Sequence, residues 1–64
     1  MSLKHKIVYW RLKRGFSQRE LADRVGVSQA ALAKWETGAS KPTLDNVQKL
    51  ADELDVVLTD FFDP

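Results

Sequence analysis

The sequence predicts an all-α fold, a compact bundle of four or five short helices. Three observations lead there. Apolar residues recur at helical spacing, each of the three glycines closes a helix-like stretch, and strand signals are confined to the short run VVL at 56–58. The 64 residues are read as one domain, 1–64. A chain of this size buries only about 60 % of its unfolded surface, so a net stability of a few kcal/mol is expected. With no cysteine present, neither disulfides nor thiolate metal sites can staple the fold. Helix packing and caps must supply the stability.

Reading backwards from Gly15, Gly26 and Gly38 gives helices near 3–14, 18–25 and 29–37, because the residue after a helix often needs positive φ and glycine adopts it without strain. The second helix opens with a capping box: in SQRE, Ser17 caps while Glu20 reaches back, and Phe16 and Leu21 occupy the staple positions. The third starts from Ser28 as cap, with Val27 and Leu32 repeating the staple. After Pro42, Thr43 caps a fourth helix whose Leu44, Val47, Leu50, Ala51 and Leu54 share one face. A short fifth helix is expected around 58–62, with Leu58, Phe61 and Phe62 apolar.

The stretch SQRELADRVGVSQAALAKWETG, residues 17–38, joins the second and third helices through a tight turn, the arrangement of a helix-turn-helix unit over about 17–37. Ala22 is small where the two helices cross, and Gly26 supplies the left-handed bend. Leu21, Val25, Val27, Leu32 and Trp35 are expected to point inward, leaving Ser28, Gln29, Ala30, Ala33 and Lys34 on the outer face. Those residues are small or polar, as a helix entering a major groove about 12 Å wide requires. Gln29 can pair bidentately with adenine, Ala30 and Ser28 can lie against a thymine methyl, and Lys34 can reach guanine or a phosphate. Gln18 sits at a helix N-terminus, where free N–H groups favour a phosphate. Charge is divided along the chain. Residues 1–41 hold nine Lys/Arg against three Asp/Glu, a balance of +6, and residues 42–64 hold one against six, a balance of −5. A basic front of this kind suits a polyanionic partner.

The run RLKRGFSQRELADRVGVSQAALAKWETGASKPTLDNVQKLADELDV resembles the Xre-type, phage repressor and Cro-like helix-turn-helix family, through SQRELA, VGVS, WETG, the proline after Gly38 and the closing LADEL. The resemblance implies a lambda repressor-like DNA-binding domain whose third helix lies in the major groove. By matching position it implies base contacts from Gln18, Ser28, Gln29, Ala30 and Lys34, and backbone contacts from Ser17, Thr37 and Lys41. It also implies an ion pair between Arg11 and Glu36 that positions the third helix. Two positions depart from the family's pattern: Asp55 stands where glycine is frequent, and Val57 where a serine cap is frequent. The last helix is therefore expected to start late, capped by Thr59.

Other residues carry weaker signals. Arg14 and Arg19 are candidate phosphate contacts, whereas Arg24 is expected to be solvated. Phe61 and Phe62 are adjacent and cannot both face one core, so one is a candidate dimer contact. Trp35 is expected in the core, and Trp10 over the first helix's groove or partly exposed. His5 has no companion ligand, and Asp52, Glu53 and Asp55 fall on a polar helix face, so no metal site is expected. No nucleophile stands with its base, which argues against an enzyme, and no cofactor or small-molecule substrate is indicated. No apolar run approaches the roughly 20 residues that span a bilayer, and a cytoplasmic setting is expected. The expected function is a sequence-specific double-stranded DNA-binding regulator, a repressor acting as a homodimer on a pseudo-palindromic operator. The alternative is an antitoxin or other protein-interaction module with accessory DNA binding, using the acidic C-terminal surface and its phenylalanines.

Overall fold

Local capping sets the boundaries of the helices. The computed structural model describes residues 2–61, arranged as α1 (Leu3–Lys13), α2 (Gln18–Val25), α3 (Gln29–Thr37), α4 (Leu44–Leu54) and a 3₁₀ helix (Leu58–Phe61). The Ser17 hydroxyl accepts from the Glu20 N–H, and the Glu20 carboxylate accepts from the Ser17 N–H, each at 3.0 Å. Ser28 accepts from the Ala31 N–H at 3.0 Å and Thr43 from the Asn46 N–H at 3.2 Å. Each bond satisfies one of the donors that a helix start leaves open. At the bend between α2 and α3, Gly26 takes φ 86° and the N–H groups of Gly26 and Val27 both close on the Ala22 carbonyl. That left-handed closure is strained for any residue with a β-carbon.

The helices wrap one core of Ile7, Leu21, Ala22, Val25, Leu32, Trp35, Val47, Leu50, Ala51, Leu54 and Phe61. Five of these aliphatics, Ile7, Leu21, Leu32, Leu50 and Leu54, are fully buried, so truncating any one to alanine should cost about 2–5 kcal/mol. α2 packs against α3 and α4, and α1 against α3, α4 and the 3₁₀ helix. Val27 is half-buried beside the core, as are Leu3, Trp10 and Phe16. Trp10 meets Tyr9 edge-on, with ring centroids 5.1 Å apart, and His5 is exposed.

Three expectations at the C-terminal half are corrected. Leu44 is 68 % exposed rather than part of the core stripe, because it occupies the first position of α4, where the stripe runs out past the packed layer. The last element is a single 3₁₀ turn that starts at Leu58, before Thr59, and closes with the Asp60 N–H on the Val57 carbonyl. Phe61 is 1 % exposed, so it is a core residue and not a surface for a second copy. Phe62 lies outside the described residues.

Asp55 ends α4 in the left-handed region, φ 57° and ψ 48°, the one non-glycine with positive φ among the described residues. A left-handed conformation costs an L-residue roughly 1–2 kcal/mol, less for Asp, and glycine's freedom in the unfolded chain offsets part of any gain. Asp55→Gly is expected to stabilise the domain by about 0.5 kcal/mol, raising its thermal midpoint by about 2–4 °C, as calorimetry would show. The Glu20 carboxyl is held below its ordinary 4.5, first by the Ser17 N–H, then by the Ser17 hydroxyl, with Arg24 adding to the effect. Because the folded value is depressed, its stabilisation is present above the unfolded value and is lost as pH falls through the folded one. Glu20→Gln keeps an acceptor for the Ser17 N–H yet removes that titration. Denaturation midpoints of the variant should fall less than those of the parent between about pH 6 and about pH 3.

Candidate nucleic-acid interface

Three helices meet at one carboxylate. Glu36, in the last turn of α3, accepts from Arg11 Nε at 2.6 Å and Nη2 at 3.0 Å, and from the Gln18 amide at 3.0 Å. Arg11 Nη1 also donates to the Phe16 carbonyl, 2.9 Å away in the α1–α2 connection. The paired side chains are only 12 % and 6 % exposed. A two-pronged guanidinium–carboxylate pair fixes direction as well as distance. It joins α1 and the start of α2 to the far end of α3, leaving the other face of α3 in solvent.

On that free face Gln29, Ala30, Lys34 and Thr37 are exposed, with Ala33 half-covered, and Ser28 stands exposed at its head. Leu32 and Trp35 on the opposite side are buried. α3 carries a single carboxylate, Glu36, and it is consumed by the pair with Arg11. The polar face therefore presents amide, hydroxyl, methyl and ammonium groups. Lys34, Arg19 and Lys41 are exposed and make no ion pair among the described residues. The Gln18–Glu36 bond brings the first residue of α2 to the last turn of α3, which also holds Thr37. Thr37 Oγ1 donates to the Lys34 carbonyl at 3.2 Å, and the Ser40 N–H returns to that carbonyl at 3.3 Å. The chain thus folds back before Lys41.

Two arginines have other roles from those expected. Arg14 was a candidate phosphate contact, but its Nε donates to the Leu54 carbonyl at 2.7 Å and its Nη2 to the Asp55 carbonyl at 3.2 Å. α4 has no base in its own last turn, and Arg14 supplies the missing cation and donors from α1 while lying over Trp10. That absence was visible in LADELD, although nothing in the sequence said which cation would answer it. Arg24 is 57 % exposed in its side chain, yet it is not simply solvated: it covers the Phe16 ring and lies 3.7 Å from Glu53. Sequence reasoning also missed Lys4. Its side chain runs alongside Gly38, where an added β-carbon would come 3.0 Å from Lys4 Cδ.

Among the described residues no group of three or more His, Cys, Asp or Glu is placed to hold a metal ion, and no helix is long and apolar enough to cross a membrane. Removing Arg11 would leave Glu36 buried with only Gln18 as partner. Arg11→Ala is expected to lose about 3 kcal/mol of stability, most of what a domain this small has. Lys34→Ala, on the exposed face, should change it by no more than about 0.5 kcal/mol. Urea denaturation of the two variants separates the framework residue from the surface one.

Comparison with known proteins agrees with this architecture. Residues 7–61 match the helix-turn-helix family described as HTH_3. The cryptic phage CTXphi transcriptional repressor RstR of Vibrio cholerae is 32 % identical over 56 residues, covering 88 % of this chain and 50 % of that protein. The chain thus spans half the length of this curated relative. Among solved structures, the restriction-modification controller protein C.AhdI of Aeromonas hydrophila superposes with a TM-score of 0.90 at 28 % identity, covering 94 % of this chain and 91 % of that one. SinR of Bacillus subtilis, the master regulator for biofilm formation, solved in complex with DNA, superposes with a TM-score of 0.89 at 27 % identity, covering 95 % and 98 %. The order of its helices, the capped turn at Gly26 and the match over most of its length agree: this chain belongs to the helix-turn-helix family.

Proposed function

We propose that the chain is a sequence-specific, double-stranded DNA-binding transcriptional regulator, a repressor, and not an enzyme. The observation that carries this is the exposed face of α3. It has small and polar side chains and no free carboxylate, and the Glu36 carboxylate clamps it to the rest of the domain from behind. The likeness to SinR, solved with DNA, and to a phage repressor supports the same reading.

In this reading Ser28, Gln29, Ala30 and Lys34 face base edges in the major groove. Gln18 keeps one amide hydrogen and its carbonyl oxygen beyond the bond to Glu36, and reaches the edge of the groove. Ser17, Arg19, Thr37 and Lys41 hold the flanking phosphates. Arg14 is withdrawn from that set by its place at the end of α4.

A single module with formal net charge +1 binds DNA weakly, so repression calls for a homodimer on a pseudo-palindromic site. Its two α3 helices would enter successive major grooves roughly 34 Å apart. With Phe61 in the core, exposed Val57 beside the 3₁₀ helix becomes the candidate contact between copies. The same burial removes a residue on which the protein-interaction alternative depended.

Selection of bound sites from a random duplex library is the test. It should return half-sites about 10 base pairs apart, and recovery of no motif at any salt concentration would overturn the assignment. On the recovered site Gln29→Ala should lose roughly 1–3 kcal/mol and relax preference at one base position. Lys41→Ala should weaken binding evenly across sequences and lower the salt slope by about one unit. Identical behaviour of the two variants on selected and random DNA would remove the division between reading and positioning residues.

A further inference from the structure

A cavity of about 390 Å³ opens between the start of α1 and the loop from α3 to α4, lined by Ser2, Leu3 and Lys4 on one side and by Trp35, Gly38 and Ser40 to Pro42 on the other. Its lining residues include two lysines and two serines and no acidic residue, on a surface that is otherwise mostly apolar. α1 has no acidic residue in its first turn either, so nothing local offsets the positive end of that helix. Two lysines border one concavity, so an anion bound there would be attracted by both charges.

The position of Lys4 is set by packing. Its stem fills the space beside Gly38, which ends α3 with φ 84°. The ammonium group is thereby tied to the end of α3 from which Ser40 and Lys41 continue. Neither Lys4 nor Lys41 has an ion-pair partner among the described residues.

We propose that this cavity is a phosphodiester seat on the DNA backbone, in which Lys4 acts beside Lys41 as a positioning residue. The phosphate it takes lies outside the base pairs that α3 reads. The proposal rests on the DNA-binding reading above and extends the contact surface onto α1, an element otherwise committed to the core and to Glu36. The occupant is a phosphate and not a carboxylate-bearing protein surface, because the lysines flank the end of the helix already turned towards DNA.

The test measures binding to a random-sequence duplex longer than two helical turns, at a series of salt concentrations. It compares the parent chain with Lys4→Met, which keeps the stem against Gly38 and removes the charge. Lys13→Met serves as control, since Lys13 lies over the Tyr9 ring elsewhere on α1. Lys4→Met should lower the slope of log K against log salt by about one unit, with the denaturation midpoint of the free protein unchanged. Lys13→Met should leave the slope as it is. On duplexes shortened stepwise from one end, the difference between parent and Lys4→Met should vanish when the outer phosphates are gone. An unchanged slope, or a loss no greater than that of Lys13→Met, overturns the seat while leaving DNA binding in place. A slope difference that survives shortening to the α3 footprint overturns its location. Failure of the parent chain to bind any duplex overturns both this proposal and the reading beneath it.

Discussion

The carboxylate of Glu36 is the point on which the orientation of α3 depends. Packing of Leu32 and Trp35 sets which side of this nine-residue helix is inward but, being apolar contact, has little directional preference of its own. A carboxylate held at 2.6 Å by a two-pronged guanidinium adds that directional constraint. Arg11 also grips the Phe16 carbonyl, and Gln18 closes the triangle from α2. One side chain on each of three helices therefore reinforces the facing that buried Leu32 and Trp35 give α3. Burying the pair is costly unless every donor and acceptor is satisfied, and here the partners come from three separate elements.

A related device operates one helical turn further along the chain. α4 ends without a base of its own, and Arg14 reaches across from α1 to its last carbonyls while its guanidinium plane rests on Trp10. Arg11 on α1 and Arg14, which caps its end three residues later, thus tie it to the ends of α3 and α4 respectively. α1 acts as a brace between the helix that is presented and the helix that supports it. Its own buried apolar contribution to the core is small, Ile7 with Leu3 and Trp10 beside it.

The helices were legible because their boundaries are written locally. Ser17 with Glu20, Ser28 and Thr43 each act within three residues of themselves, and the glycines close their turns without help from elsewhere. The outward face of α3 was legible for the same reason, since helical spacing around Leu32 and Trp35 determines it. What the sequence did not disclose depends on residues about 30 to 40 positions apart. Arg14 meets the end of α4, Arg24 meets Glu53, and Lys4 meets Gly38. Phe61 was ambiguous because an aromatic pair can turn either member inward. The outcome follows from how the 3₁₀ turn settles between α1 and α4.

The faces of α3 divide the labour of this domain in a way that bears on how such proteins diversify. Leu32, Trp35 and Glu36 hold the helix in place, whereas Gln29, Ala30 and Lys34 touch solvent and contribute little to folding. If the proposed DNA-reading role holds, changes at the second set alter what the helix recognises while the chain remains folded. A duplicated copy can therefore drift from one target to another through intermediates that are all stable proteins. In a domain with only a few kcal/mol to lose, that separation keeps a change of target from also being a loss of the fold.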